Sequence, residues 1–110
     1  MTETHSLPQS FAALADPTRW RILVRIGTEP ASASALGREL PVSRQAVTKH
    51  LQALAEAGLV RQVKDGREVR YEAEGARLRE LARSLDSVAA GWDRRLSAIK
   101  AAAESPPPAR

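Results

Sequence analysis

The stretch Pro41-Val42-Ser43-Arg44-Gln45-Ala46-Val47-Thr48-Lys49-His50-Leu51 decides the fold of this 110-residue chain. Val47, Leu51 and Leu54 recur at i, i+4 and i+7, the spacing of one helical face, so this stripe can enter a core. Arg44, Gln45, Thr48, Lys49 and Gln52 then share the opposite face. Arginine can fork onto guanine, glutamine onto adenine, threonine can meet a base or the thymine methyl, and lysine can meet guanine or phosphate. No carboxylate, which phosphate would repel, lies on that face between Arg44 and Gln52.

Ser43 is a good N-cap for this helix, and Gly58 suits the left-handed position that ends one. Upstream, Ser32 or Ser34 can cap a short helix with Leu36 and Leu40 inward, stopped by Pro41. Two helices joined by a three-residue turn are a helix-turn-helix, whose second helix enters a major groove. Downstream, Leu59 to Lys64 and Arg67 to Ala73 flank Asp65-Gly66, a two-residue hairpin signal, with Val69 and Tyr71 alternating with Glu68, Arg70 and Glu72. This hairpin reads as a wing whose Arg61, Lys64, Arg67 and Arg70 face a phosphate backbone or minor groove, with Arg67 at its tip. The same charges also protect an exposed strand edge from pairing.

Working outward toward the N-terminus, Phe11, Leu14 and Ala15 suggest a short helix. Asp16-Pro17 offers a cap and a first-turn proline for a second helix, whose apolar face is read as Trp20, Leu23 and Val24, with Ile22 and Ile26 beside it, ending at Gly27. Toward the C-terminus, Leu78, Leu81, Leu85, Val88, Trp92, Leu96 and Ile99 recur in steps of three and four with no proline from Glu74 to Glu104. One small domain cannot cover such a stripe alone, and the spacing suits a partner helix. The expected dimer interface is Phe11, Leu14, Leu81, Leu85, Val88, Trp92, Leu96 and Ile99. The expected fold class is thus mainly α with a small β-hairpin, a winged helix-turn-helix dimerising through its terminal helices. Residues 1–8 read as a flexible tail, 9–104 as the domain, and 105–110, with three consecutive prolines, as a disordered tail.

Composition narrows the function classes. With 43% hydrophobic and 27% charged residues the chain is neither disordered nor membrane-spanning, and a cytoplasmic location with no membrane partner is expected. Cysteine is absent, which excludes disulfides, thiolate metal sites and cysteine nucleophiles. The net charge of +4 favours a polyanion. Residues 1–41 carry four basic and four acidic groups, 42–72 six and four, and 73–110 seven and five, so the surplus lies outside the N-terminal third. No nucleophile-base spacing, HExxH pattern or glycine-rich phosphate loop occurs, so no catalytic residue and no cofactor are expected.

Ala15-Asp16-Pro17-Thr18-Arg19, the segment Ser43 to Leu51, Leu54-Ala55-Glu56-Ala57-Gly58-Leu59-Val60 and Gly66-Arg67 to Tyr71 together resemble the ArsR family of bacterial repressors over roughly residues 9–100. Trp92-Asp93-Arg94-Arg95-Leu96 resembles the branch of that family without metal sites. The resemblance implies a homodimer on a pseudo-palindromic double-stranded DNA operator, repressing nearby genes. Metal-sensing members carry a cysteine motif before the turn, or Asp/His/Glu ligands on the last helix. This chain has Ala35-Leu36-Gly37-Arg38-Glu39-Leu40 in the first place and no histidine in the second, and His5 and His50 alone make a poor ligand set, so no metal is expected. The base-reading residues are Arg44, Gln45 and Thr48. Ser43, Lys49, Gln52 and the four basic wing residues are the phosphate or wing contacts. His50, between the two faces, reads as a hydrogen-bonded structural histidine. Two other functions fit the same pattern: a winged helix that binds protein through its long helix, and a repressor gated by a small organic ligand at the dimer interface.

Overall fold

The computed structural model describes residues 6–104. Its elements run α1 (Leu7–Ala13), α2 (Pro17–Ile26), β1 (Ala31–Ser32), α3 (Ala33–Glu39), α4 (Arg44–Glu56), β2 (Val60–Asp65), β3 (Glu68–Ala73) and α5 (Gly75–Glu104). Helix α1 starts at Leu7, capped by Ser6, so Leu7 and Pro8 are helical and do not belong to a tail. The rest of the N-terminal tail expectation, on residues 1–5, and that on residues 105–110 lie outside the described residues.

The starts of α2, α3 and α4 each have a local cause. The Asp16 carboxylate accepts from the backbone N–H groups of Thr18 (2.8 Å) and Arg19 (3.1 Å), with Pro17 in the first turn of α2. Of the two candidate caps for α3, Ser32 takes the role, accepting from Ala35 N at 3.1 Å. Ser43 caps α4, accepting from Ala46 N at 3.1 Å. Helix α4 ends in a Schellman motif: Gly58 N–H donates to Ala55 O and Leu59 N–H to Leu54 O, both at 3.0 Å, with Gly58 at φ 78°. Leu54 and Leu59, the apolar pair of that motif, are both fully buried. The chain is thereby turned from the end of α4 straight into the wing.

The core gathers Ala13, Ile22, Leu23, Ile26, Leu36, Val47, Leu51, Leu54 and Leu81 from all five helices, Leu59 from the turn after α4, and Val60 and Tyr71 from β2 and β3. The inward face of α2 differs from expectation. Ile22, Leu23 and Ile26 are buried, whereas Trp20 and Val24 are each 53% exposed. The i, i+4 pair of isoleucines took the core side, which leaves Trp20 and Val24, also four apart, turned outward.

The sheet has three antiparallel strands in the order β1-β3-β2, Ala31 facing Tyr71 and Val60 facing Ala73. Strand β1 was not foreseen. The hairpin register closes at Asp65 opposite Glu68, so the two loop residues are Gly66 and Arg67 rather than Asp65 and Gly66. Gly66 has φ 66° and no non-glycine residue among those described has positive φ, as expected for a tight hairpin with glycine at its first central position.

Helix α5 has 30 residues, a length of about 45 Å, in a molecule 81 Å long and 20 Å thick. Its first turns pack on the body: Leu81 is buried in the protomer's own core and Leu78 lies against it. Leu81 is therefore a core residue and not an interface one. Phe11 and Leu14 are half-buried against that same core. Beyond Leu81 the stripe has no cover: Leu85, Val88, Trp92, Leu96 and Ile99 are between 44% and 70% exposed.

Candidate nucleic-acid interface

Helix α4 offers Ser43, Arg44, Gln45, Lys49 and Gln52 on its exposed side, while Val47, Leu51 and Leu54 fix its rotation in the core. Thr48 is half-buried, and its hydroxyl donates to the Arg44 carbonyl at 3.1 Å. With that proton engaged, its lone pairs and its methyl group remain for contact. Arg44, Gln45 and Thr48 together border one shallow concavity. The three predicted base readers thus share one patch, with Lys49 and Gln52 further along the same helix.

His50 faces the other way. Its Nδ1 accepts from Arg19 Nε at 3.3 Å, which ties α4 to α2. The same corner holds Asp16, whose carboxyl lies below the ordinary value of 3.8, first because the Arg19 N–H donates to it and further because His50 and Arg19 are close. His50 is the structural histidine that its place between the two faces suggested.

The wing divides its four positive residues into two kinds. Arg61 is paired across the hairpin, Nε to Glu72 Oε1 at 2.7 Å, with Glu74 at 4.0 Å. Arg70 bonds Glu68 at 2.9 Å and stands 3.6 Å from Asp65. Both guanidinium groups are raised in pKa by these carboxylates, Glu72 and Glu68 contributing most. Lys64 and Arg67 are exposed and in no ion pair among the described residues. The free positive charge of the wing is therefore at and next to its tip, on Arg67 of the loop and Lys64 near the end of β2.

Between the wing and the starts of α3 and α4 lies an open cleft of about 570 Å³, whose walls include Arg44 and Thr48 on one side and Arg67, Gln62 and Tyr71 on the other. Gln62 Nε2 donates to the Tyr71 phenol oxygen at 3.1 Å. Among the described residues no group of three or more His, Asp or Glu side chains is placed to hold a metal ion, and no helix is long and apolar enough to cross a membrane.

Comparison with known proteins agrees with this geometry. A family model described as a helix-turn-helix domain matches residues 14–63. The HTH-type transcriptional regulator Rv2034 of Mycobacterium tuberculosis is 36% identical over 97 residues, 88% of each chain. The structure of an ArsR-like transcriptional regulator from Rhodococcus sp. RHA1 matches with a TM-score of 0.81 at 57% identity, covering 91% of this chain and 94% of that one. The chain belongs to the ArsR family of transcriptional regulators. Its work is therefore regulation of transcription and not catalysis. A third match, the homodimeric winged helix-turn-helix domain Mb0332 of Mycobacterium bovis, shares the fold with a TM-score of 0.62 at 22% identity, over 87% of this chain and 94% of that one.

Within this ArsR-family body two polar groupings escaped the reading of the residues alone. The first is the Gln62–Tyr71 pair in the cleft, since Tyr71 reads from its alternation only as an inward wing residue. The second joins segments far apart in sequence: buried Ser10 donates to the Ala57 carbonyl at 2.9 Å, and Arg77 donates to Ser10 Oγ at 2.9 Å and to the Ser6 carbonyl at 3.2 Å. Ser10 is fully buried, and only the fold supplies the acceptor that makes this tolerable.

Proposed function

We propose that this regulator is a homodimeric repressor that reads a pseudo-palindromic operator in cytoplasmic double-stranded DNA. The observation that carries the reading is the exposed side of the first turns of α4, free of carboxylates from Ser43 to Gln52, with Arg44, Gln45 and Thr48 in one patch beside a wing whose free charge is at its tip. Arg44, Gln45 and Thr48 meet base edges. Ser43, Lys49, Gln52, Lys64 and Arg67 meet phosphates, while Arg61 and Arg70, held by carboxylates, act chiefly on the wing's shape. Two copies of α4 enter successive major grooves about 34 Å apart, and repression follows where the operator overlaps a promoter.

The second copy docks on α5. Leu85, Val88, Trp92, Leu96 and Ile99 are spaced by three, four, four and three residues, a pattern that reads the same from either end. An antiparallel pair with its two-fold axis at Trp92 sets Leu85 against the partner's Ile99 and Val88 against the partner's Leu96. A parallel pair would match any spacing with itself, so the palindrome supports the antiparallel arrangement. Ala89, Ala90 and Gly91 then fall opposite the bulkier 93–95 segment of the other copy. Covering the exposed half of these five residues on each copy is worth roughly 10 kcal/mol in all, within the range of about 4–15 kcal/mol that association costs. The α1 edge at Phe11 and Leu14 is thus needed to complete the interface.

The test is selection of bound sequences from random duplex DNA, then a salt titration of the selected duplex against its scramble. A two-fold symmetric motif, bound far more tightly than the scramble and with a steep salt slope, is the expected outcome. Equal weak binding to both would leave a protein-interaction module as the better description.

A further inference from the structure

Tyr71 is 7% exposed, and its ring lies in the core. Its phenol oxygen accepts from Gln62, yet its own O–H finds no acceptor among the described residues. Phenylalanine would fill the same space. A hydroxyl whose proton has no partner within the fold, on a residue that also lines an open cleft, points to an acceptor outside it. Gln62 beside it retains a second amide N–H after bonding Tyr71.

The cleft suits an anion. Arg44 and Arg67 stand on opposite walls, and the one carboxylate in the lining, Glu68, is held by Arg70 at 2.9 Å. The remaining lining side chains with polar atoms are hydroxyls and the Gln62 amide. We propose that this cleft grips one phosphodiester of the DNA strand that passes between the groove entered by α4 and the groove met by the wing, with Tyr71 O–H and Gln62 N–H as neutral donors to its oxygens. The proposal rests on the DNA-binding reading above and adds a sequence-independent contact made from inside the wing. Neutral donors in a preformed cleft fix where the strand lies without adding to the counterions released.

Tyr71→Phe tests it, because the ring and its packing stay. On the selected operator duplex and on its scramble, the variant is expected to bind about five- to tenfold more weakly per protomer, to the same extent on both DNAs, with the salt slope and melting temperature unchanged. Gln62→Ala, at an exposed position, is expected to lose about threefold in the same even manner and serves if Tyr71→Phe disturbs folding. Wild-type affinity in Tyr71→Phe and Gln62→Ala, alongside weaker binding by Arg67→Ala, would overturn the cleft proposal and leave the DNA reading standing. A loss confined to the operator would overturn it too, by making the contact one to a base. Absence of DNA binding by the unmodified protein would remove both readings together.

Discussion

Replacing Arg67 by alanine is expected to flatten the salt dependence of DNA binding by about 1.8 log units per log unit of salt, whereas Arg61→Ala should change it little. The difference follows from the ion pairs of the wing. Arg67 occupies the hairpin loop and is in no ion pair among the described residues, so a phosphate is the first anion it meets. Arg61 is already bonded to Glu72 at 2.7 Å, and moving it to a phosphate would strand that carboxylate against the DNA. Each phosphate neutralised contributes about 0.9 to the slope, and a dimer carries the substitution twice. Between about 50 and 200 mM salt, the fourfold change makes the Arg67→Ala protein lose roughly twelvefold less affinity than the wild type. Fluorescence anisotropy with a labelled operator duplex, repeated at five or so salt concentrations, reads both slopes. Glu72→Gln adds a complementary arm: by releasing Arg61 it should steepen the slope. An equal drop for Arg61→Ala and Arg67→Ala would refute the reasoning, since it would mean that the strand ion pairs open when DNA arrives.

The chain has no cysteine, so single replacements report on the dimer cleanly. Trp92→Cys, on the proposed axis, should cross-link to itself under mild oxidation, while Val88→Cys should do so only when mixed with Leu96→Cys; efficient self-linking of Val88→Cys would point to a parallel pair. Ser43→Ala should lower stability by about 1 kcal/mol through the lost cap of α4, which thermal melting would show as a drop of roughly 4–8 °C. Asp16 and Glu39 both lie below their ordinary carboxyl values, Asp16 first through the Arg19 N–H and Glu39 first through the Arg25 side chain. Their contribution is therefore present above pH 3.8 and 4.5 respectively and lost as pH falls through the lowered folded values. Asp16→Asn keeps a capping oxygen but cannot titrate, so the gap between its melting temperatures at about pH 6 and about pH 3 should be narrower than for the wild type; an unchanged gap would exclude Asp16 as a source of acid sensitivity.

Local signals carried most of the architecture. The Val47, Leu51 and Leu54 stripe, the Ser43 cap and Gly58 placed α4 within a residue of its bounds, because period and caps are properties of a few neighbours in sequence. What escaped depended on tertiary choices. Strand β1 is two residues, Ala31 and Ser32, too short for any alternation, and is a strand only because Tyr71 and Arg70 pair with it. In α2 the apolar residues Trp20, Ile22, Leu23, Val24 and Ile26 cover more than one face, so periodicity alone could not say which would turn inward. On α5 a single unbroken stripe spans both the turns that meet the body and those that do not, so Leu81 looked like Leu85 until the body was built. The one-residue shift of the hairpin loop to Gly66-Arg67 had a similar cause, since Asp65 is held in the ladder opposite Glu68. That ladder also places Arg61 directly across from Glu72, and Arg70 is held by Glu68 and Asp65, so two of the four wing charges are structural; a count of charges in the sequence had treated all four alike.

The geometry of α4 is set at both ends by directional bonds as well as by packing. At its start Ser43 and the turn after α3 fix the depth at which Arg44 and Gln45 are presented. At its end the Ala57 carbonyl accepts from Ser10 of α1, and Ser10 in turn accepts from Arg77 in the first turns of α5. Arg77 also reaches the Ser6 carbonyl and, at 3.1 Å, Glu80. Apolar contacts tolerate sliding of an ångström or so, but hydrogen bonds weaken steeply once bent or stretched, so this small network fixes α4 against α1 and α5 more tightly than the leucine core alone could. Because α1 and α5 carry the surface proposed for the second copy, the angle at which two protomers join is passed through Ser10 and Arg77 to the end of the helix that reads DNA. In the proposed homodimer an operator with the wrong spacing would strain either the α5 pair or this network, which gives spacing selectivity a physical basis.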